Sequence, residues 1–163
     1  GNIAFQAMQT GHSCMATFHA ASVEKLIQRL TGNPINIPKT YIDNLNLAVI
    51  QSMVRLPNGK DGHRIVSVNE IVGYDSSTDS FSYIEVFRWN PVDDSFEFTG
   101  YMNSYLLEEV IAFKLGLPPQ RKREIYKELN RRATILRRLK DQGVTGFYEL
   151  FKVISQASRQ GIF

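Results

Sequence analysis

The chain has 163 residues, 43% hydrophobic and 21% charged, which is ordinary for a soluble globular protein and long enough to bury a substantial core. No run of about 18 apolar residues occurs, so a membrane-spanning helix is not expected, and the single cysteine, Cys14, excludes an internal disulfide. The net charge of +3 hides an asymmetry: residues 1–100 hold seven Lys and Arg against ten Asp and Glu, whereas residues 101–163 hold twelve against six.

In chain order, Asn2–Gln9 reads as a helix with Gly11 at its C-terminal cap, and no basic leader of a signal peptide is seen there. The run Cys14-Met15-Ala16-Thr17-Phe18, ending at His19, has the length and composition of a buried strand. Ser22 is placed to cap a helix over Val23–Thr31, with Glu24 in its first turn. Val23, Leu26, Ile27 and Leu30 give that helix one apolar face, and Gly32-Asn33-Pro34 stops it. A strand feeding a helix is one α/β unit.

Thr40–Asn46 suggests a single helical turn. Leu47–Leu56 and Arg64–Val72 read as strands joined through Asn58-Gly59 and Asp61-Gly62, a strong hairpin signal. Ser82–Trp89 and Ser95–Thr99 predict a second hairpin across Asn90–Asp94. From there the pattern becomes helical: Tyr105–Leu115 after Ser104, a long helix over Gln120–Gln142, and a last one marked by Phe147, Leu150, Phe151 and Ile154. This divides the chain into 1–100, with the strands, and 101–163, a helical subdomain.

Two stretches resemble a known family. Phe5-Gln6-Ala7-Met8-Gln9-Thr10-Gly11-His12, followed by Met15-Ala16-Thr17-Phe18-His19-Ala20, is similar to the "His box" of the secretion-superfamily ATPases. These are the motors of type II secretion, type IV pili and archaella, and the archaeal branch is the nearer likeness. Val54-Arg55-Leu56 and Gly62–Ile71 resemble the family's hairpin of pattern R-V-x-x-x-x-E-I. The likeness is strong from Phe5 to about Gly73 and loose beyond. It implies an α/β fold: the C-terminal portion of a RecA-like (P-loop NTPase) sheet, with antiparallel β-hairpins and a C-terminal helical cluster.

The sequence has no G-x-x-x-x-G-K-[ST]. A phosphate-cradling loop needs those glycines, the Lys and the hydroxyl, and Gly59-Lys60 lies in a turn with no Ser or Thr after it. The family's Walker B strand is missing too. The resemblance therefore implies the C-terminal segment of a hexameric ATPase, inactive as this chain alone. ATP and Mg²⁺ belong to the full-length protein. Sister subunits of a homo-hexamer and a polytopic membrane platform protein are the implied partners, at the cytoplasmic face of the membrane.

His19 and His12 are the residues that the resemblance places nearest the chemistry, since an imidazole can donate to a phosphate oxygen or orient water. Gly11, Thr17 and Arg64 are expected to support nucleotide, through close backbone approach, a hydroxyl and a guanidinium. Arg64 and Glu70 also allow an ordinary cross-strand pair. His63 is read as an exposed turn residue. Asp75, Asp79, Asp93 and Asp94 fall in turns, where Asp bonds its own backbone, and no metal site is expected from them. A different class of function rests on Arg121, Lys122, Arg123, Lys127, Arg131, Arg132, Arg137, Arg138 and Lys140. This basic run over residues 120–140 would suit a stand-alone nucleic-acid-binding or scaffold module. It carries no recognised nucleic-acid fingerprint, and a protein or membrane-proximal contact is the preferred reading.

Overall fold

Helix α1 (Asn2–Gln9) closes in a Schellman motif: the Gly11 amide donates to Met8 O at 3.0 Å and the His12 amide to Ala7 O at 3.1 Å. That closure needs a left-handed residue, and Gly11 supplies it at φ +88. The computed structural model describes residues 2–162. By its own contacts the chain divides into a first unit, Gly1–Leu106, and a second, Leu107–Phe163.

In the first unit, Ser22 caps helix α2 (Val23–Thr31), its hydroxyl accepting the Lys25 amide at 3.3 Å. Val23, Ile27 and Leu30 face inward with Phe5 of α1. A 3₁₀ turn, Lys39–Asn44, contributes the fully buried Ile42. Four strands follow: β1 (Leu47–Arg55), β2 (Asp61–Asp75), β3 (Ser80–Asn90) and β4 (Ser95–Glu97). They form a single antiparallel meander in the order β1-β2-β3-β4. Ala48, Ile50 and Ile71 of β1 and β2 meet the two helices and Ile37, and that is the core.

In the second unit the chain winds as a π-helix over Leu106–Ile111 and continues into α3 (Ala112–Lys114). A 3₁₀ stretch, Pro119–Glu124, leads into α4 (Ile125–Asp141), and α5 (Phe147–Arg159) comes last. Ala112, Ile125 and Tyr126 are its buried apolar residues among those described. The Tyr126 hydroxyl donates to the buried Glu108 at 2.7 Å.

Four expectations need correction. The run Cys14–Phe18 is not a buried strand: Ser13–Ala20 is irregular, Ser13–His19 is exposed, and Met15 is 100% exposed. A strand needs a ladder partner, and among the described residues no strand pairs with this segment. The two hairpins are not separate, because β2 and β3 also pair with each other. The helix expected over Tyr105–Leu115 is mostly π-helical. The helix expected over Gln120–Gln142 is α-helical only from Ile125, after Pro118 and Pro119 force the tighter start. What holds of the fold class is coarser: a mixed α/β chain with a four-stranded antiparallel sheet and C-terminal helices. No parallel strand pair occurs among the described residues.

Candidate functional site

The segment after α1 brings the sequence-predicted residues into view. Gly11, His12, Thr17 and His19 are all exposed. The Thr10 hydroxyl donates to Ala7 O at 2.9 Å and lies 3.0 Å from His12 Nδ1. Its single proton is then used on the carbonyl, so the contact with the ring is satisfied by an Nδ1–H donor. That leaves Nε2 of His12 as the ring's free nitrogen.

The other end of the segment is held by α2. Arg29 donates through Nη1 to the carbonyl of His19, and its guanidinium carbon lies 5.1 Å from the centre of the Phe18 ring. Cys14 Sγ sits 3.7 Å from Ala4 O. The irregular stretch is thus tied at three points: by Thr10, by Cys14 and by Arg29. No hydrogen bond joins His12 to His19 among the described residues.

Arg64 is engaged elsewhere. Its Nε and Nη2 grip both carboxylate oxygens of Asp94 at 2.7 and 2.6 Å, and Trp89 Nε1 donates to the same carboxylate at 2.8 Å. The Arg64 guanidinium, with the Trp89 indole second, holds the Asp94 carboxyl down at about 2, from an ordinary 3.8. The expected pairing of Arg64 with Glu70 is not formed. Glu70 is buried, accepting the Ser104 hydroxyl at 2.6 Å and the Leu106 amide at 3.1 Å. The strands place these residues six positions apart along β2, and β-bulges after Val68 and Ile71 re-aim its far end.

The basic run is not a uniform cationic face. Arg121 pairs with Glu124, Lys122 with Glu109 and Glu108, Arg123 with Glu108, and Arg131 and Arg132 with Glu128. Arg131 and then Arg132 hold the Glu128 carboxyl down at about 2. Five of the nine cations therefore have glutamate partners, and for Arg121, Arg131 and Arg132 the signal is present in the sequence as Arg and Glu at spacings of three and four. His63 is exposed, but it lies in β2 opposite Met53 and not in the turn expected of it, and Asp79 and Asp94 adopt left-handed turn geometry at φ 50 and 58. Among the described residues no group of three or more His, Cys, Asp or Glu is arranged to hold a metal ion. No helix among them is long and apolar enough to cross a membrane.

The profile of the family described as type II/IV secretion system protein matches residues 1–148, and the chain belongs to that family. The expected likeness to a secretion-superfamily ATPase is supported by this match. Three relatives come from Methanocaldococcus jannaschii, all named as uncharacterized proteins. MJ0900 is 45% identical over 160 residues, 98% of this chain and 28% of its own length. MJ1287 is 43% identical over 137 residues, 84% of this chain and 48% of its own. MJ0781 is 30% identical over 124 residues, 76% of this chain and 16% of its own. The chain thus spans less than half the length of each.

Proposed function

We propose that this chain is the C-terminal part of a hexameric secretion-superfamily ATPase, the motor of a type II secretion or pilus- or archaellum-like machine. The observation that carries the reading is the F-Q-A-M-x-T-G-H segment at the end of α1. It lies inside the family match, with the imidazoles of His12 at its end and of His19 beyond it exposed, and the backbone tied down by Thr10 and, at His19, by Arg29. The RecA-like character of the complete fold belongs to this proposal, as do the sister subunits, a polytopic membrane platform protein and a place at the cytoplasmic face of the membrane.

ATP and Mg²⁺ enter only as ligands of the longer protein. The described residues do not fit them unaided. The sequence lacks the glycine loop and its Lys and Ser/Thr, and among the described residues no group of three or more His, Cys, Asp or Glu converges. The part of His19 and His12 is to bring imidazole nitrogens to a site whose remaining groups lie in the rest of the protein. Gly11 and Thr17 support them with a bare backbone and a hydroxyl. Arg64 supports from a distance, its guanidinium held by Asp94. The division into a strand-bearing part and a helical part suits a core with an appended C-terminal subdomain.

An antibody to this chain, used on source cells, tests the reading. A band of several hundred residues with magnesium-dependent ATP hydrolysis is expected, and His19→Ala in that protein should cut turnover at least about tenfold. The 163-residue chain alone should be inactive. A native band near 18.6 kDa, or turnover by the purified 163-residue chain, would overturn it.

A further inference from the structure

Helix α5 has no buried residue among those described, although its sequence is amphipathic. Its first turns expose Phe147 at 75%, Tyr148 at 84% and Phe151 at 64%. The three rings pack on each other: Phe147 meets Tyr148 edge-on at 5.3 Å and stacks with Phe151 at 6.3 Å. The result is one apolar knob in solvent rather than three scattered side chains.

The turn that places this knob is well defined. Gly143, at φ +78, ends α4 in a Schellman closure, with its amide on Lys140 O and the Val144 amide on Leu139 O. At the other end of α5, Ile162 O accepts Arg131 Nη2 at 2.7 Å. The segment after α5 is thereby tied to the first half of α4. The last turn of α4 and the first turn of α5 flank the turn at Gly143 and form one tip.

The end of α4 carries Arg137, Arg138 and Lys140, all exposed. Their side chains make no ion pair among the described residues, whereas Arg121, Lys122, Arg123, Arg131 and Arg132, before them in the run, are paired with glutamates and Lys127 is not. The basic run is thus split into a largely neutralised first part and a second part without ion pairs, which the chain joins to the aromatic knob through one short turn. The stretch 137–152 holds four cations against two acids, Asp141 and Glu149.

We propose that this tip is a docking surface for an anionic lipid membrane. Aromatic rings with one apolar body and, for Tyr, one polar end settle at the boundary of headgroups and acyl chains. Flanking Lys and Arg are drawn to acidic headgroups within a Debye length of the surface. A nucleic-acid strand would instead require a cationic groove with separated rings on which bases stack, and here the rings already occupy one another. The inference goes beyond the motor reading and does not depend on it, since lipid contact needs no nucleotide.

Flotation of the 163-residue chain with vesicles, in the absence of nucleotide, tests it. Vesicles of phosphatidylcholine with about 30% phosphatidylglycerol should carry the chain at low salt, at least about tenfold better than phosphatidylcholine alone, and about 0.5 M salt should release it. Arg137→Glu, Arg138→Glu and Lys140→Glu together should abolish flotation, as should Phe147→Ser with Phe151→Ser. Arg121→Gln should leave it unchanged. Circular dichroism checks that each variant keeps its helix content, and Tyr148→Trp should add a blue-shifted emission only with the acidic vesicles. The proposal is overturned by no flotation at low salt, by flotation that the triple reversal spares, or by equal loss in Arg121→Gln. It is also overturned by a self-association that the Phe→Ser pair disperses, which would assign the knob to a second copy. Binding of the tip to DNA or RNA without vesicle binding overturns it too. None of these results bears on ATP turnover.

Discussion

Arg64 and Asp94 lie 30 positions apart and meet in a two-point contact, Nε on Oδ1 at 2.7 Å and Nη2 on Oδ2 at 2.6 Å. Trp89 completes the cluster from the same carboxylate. The contact joins β2 to the turn before β4, so it fastens the short edge strand to the middle of the sheet. It also gives Asp94 a folded-state pKa of about 2 against an ordinary 3.8. A carboxyl lowered in the folded state adds stability that is present above about 3.8 and lost as pH falls through about 2.

The sole tryptophan reports this titration directly, because its indole N–H touches the titrating group. Trp89 emission should change with a midpoint near pH 2. In Arg64→Met the midpoint should climb toward the ordinary carboxylate range. Equal midpoints in the two proteins would show that the guanidinium does not hold Asp94 down.

Glu70 makes a separate lock. It is 3% exposed and holds the Ser104 hydroxyl and the Leu106 amide, at the end of the first unit. Glu70→Ala removes both contacts, one from a buried hydroxyl and one from a half-buried amide, and a hydrogen bond to a charged acceptor contributes about 1.5–3 kcal/mol. Urea unfolding should show a loss of that size. Combined with Arg64→Met the losses should add within about 0.5 kcal/mol, because the two residues belong to separate clusters. A larger coupling would restore the direct pairing that the sequence suggested.

The locally encoded features were legible. The cap at Ser22, the stop at Gly11 and the turn at Asn58-Gly59 each depend on a few neighbouring residues, and the structure forms all three. The long-range clusters were not, since nothing near Arg64 announces Asp94 and nothing near Glu70 announces Ser104. The box segment fails for a different reason. Cys14–Phe18 has strand composition, but composition creates no ladder, and a run of β-formers without a neighbour to bond stays irregular. The split of the basic run was legible in principle, because Glu124 and Glu128 stand at helical spacing from Arg121, Arg131 and Arg132. Counting charge along the chain, rather than pairing it, hides that.

Arg29 decides how well the box segment is held. It is exposed and stands outside the core cluster, yet it stacks on Phe18 and bonds the His19 carbonyl. Arg29→Ala should leave the urea midpoint almost unmoved and speed protease cleavage within residues 13–20 several-fold. Arg29→Lys should recover little, because an ammonium lacks the planar face that stacks on the ring while its N–H reaches the carbonyl. If both variants cut at the parental rate, the segment is held by the Thr10 and Cys14 contacts alone.

Thr10 decides which nitrogen His12 offers. Its hydroxyl proton lies on Ala7 O, so the oxygen accepts from Nδ1–H and the outward Nε2 carries the lone pair. The helix end fixes this arrangement, since Ala7 O also takes the His12 amide. Nitrogen-15 NMR of the neutral imidazole should find the Nδ1–H tautomer dominant. Thr10→Val, which keeps the shape and removes the hydroxyl, should shift the ring toward Nε2–H, and Thr10→Ser should restore it. A His12 that reaches a ligand through Nε2 would then accept a proton when neutral and donate one only when protonated. An unchanged tautomer in Thr10→Val would separate the turn from the imidazole and leave Thr10 with a capping role alone.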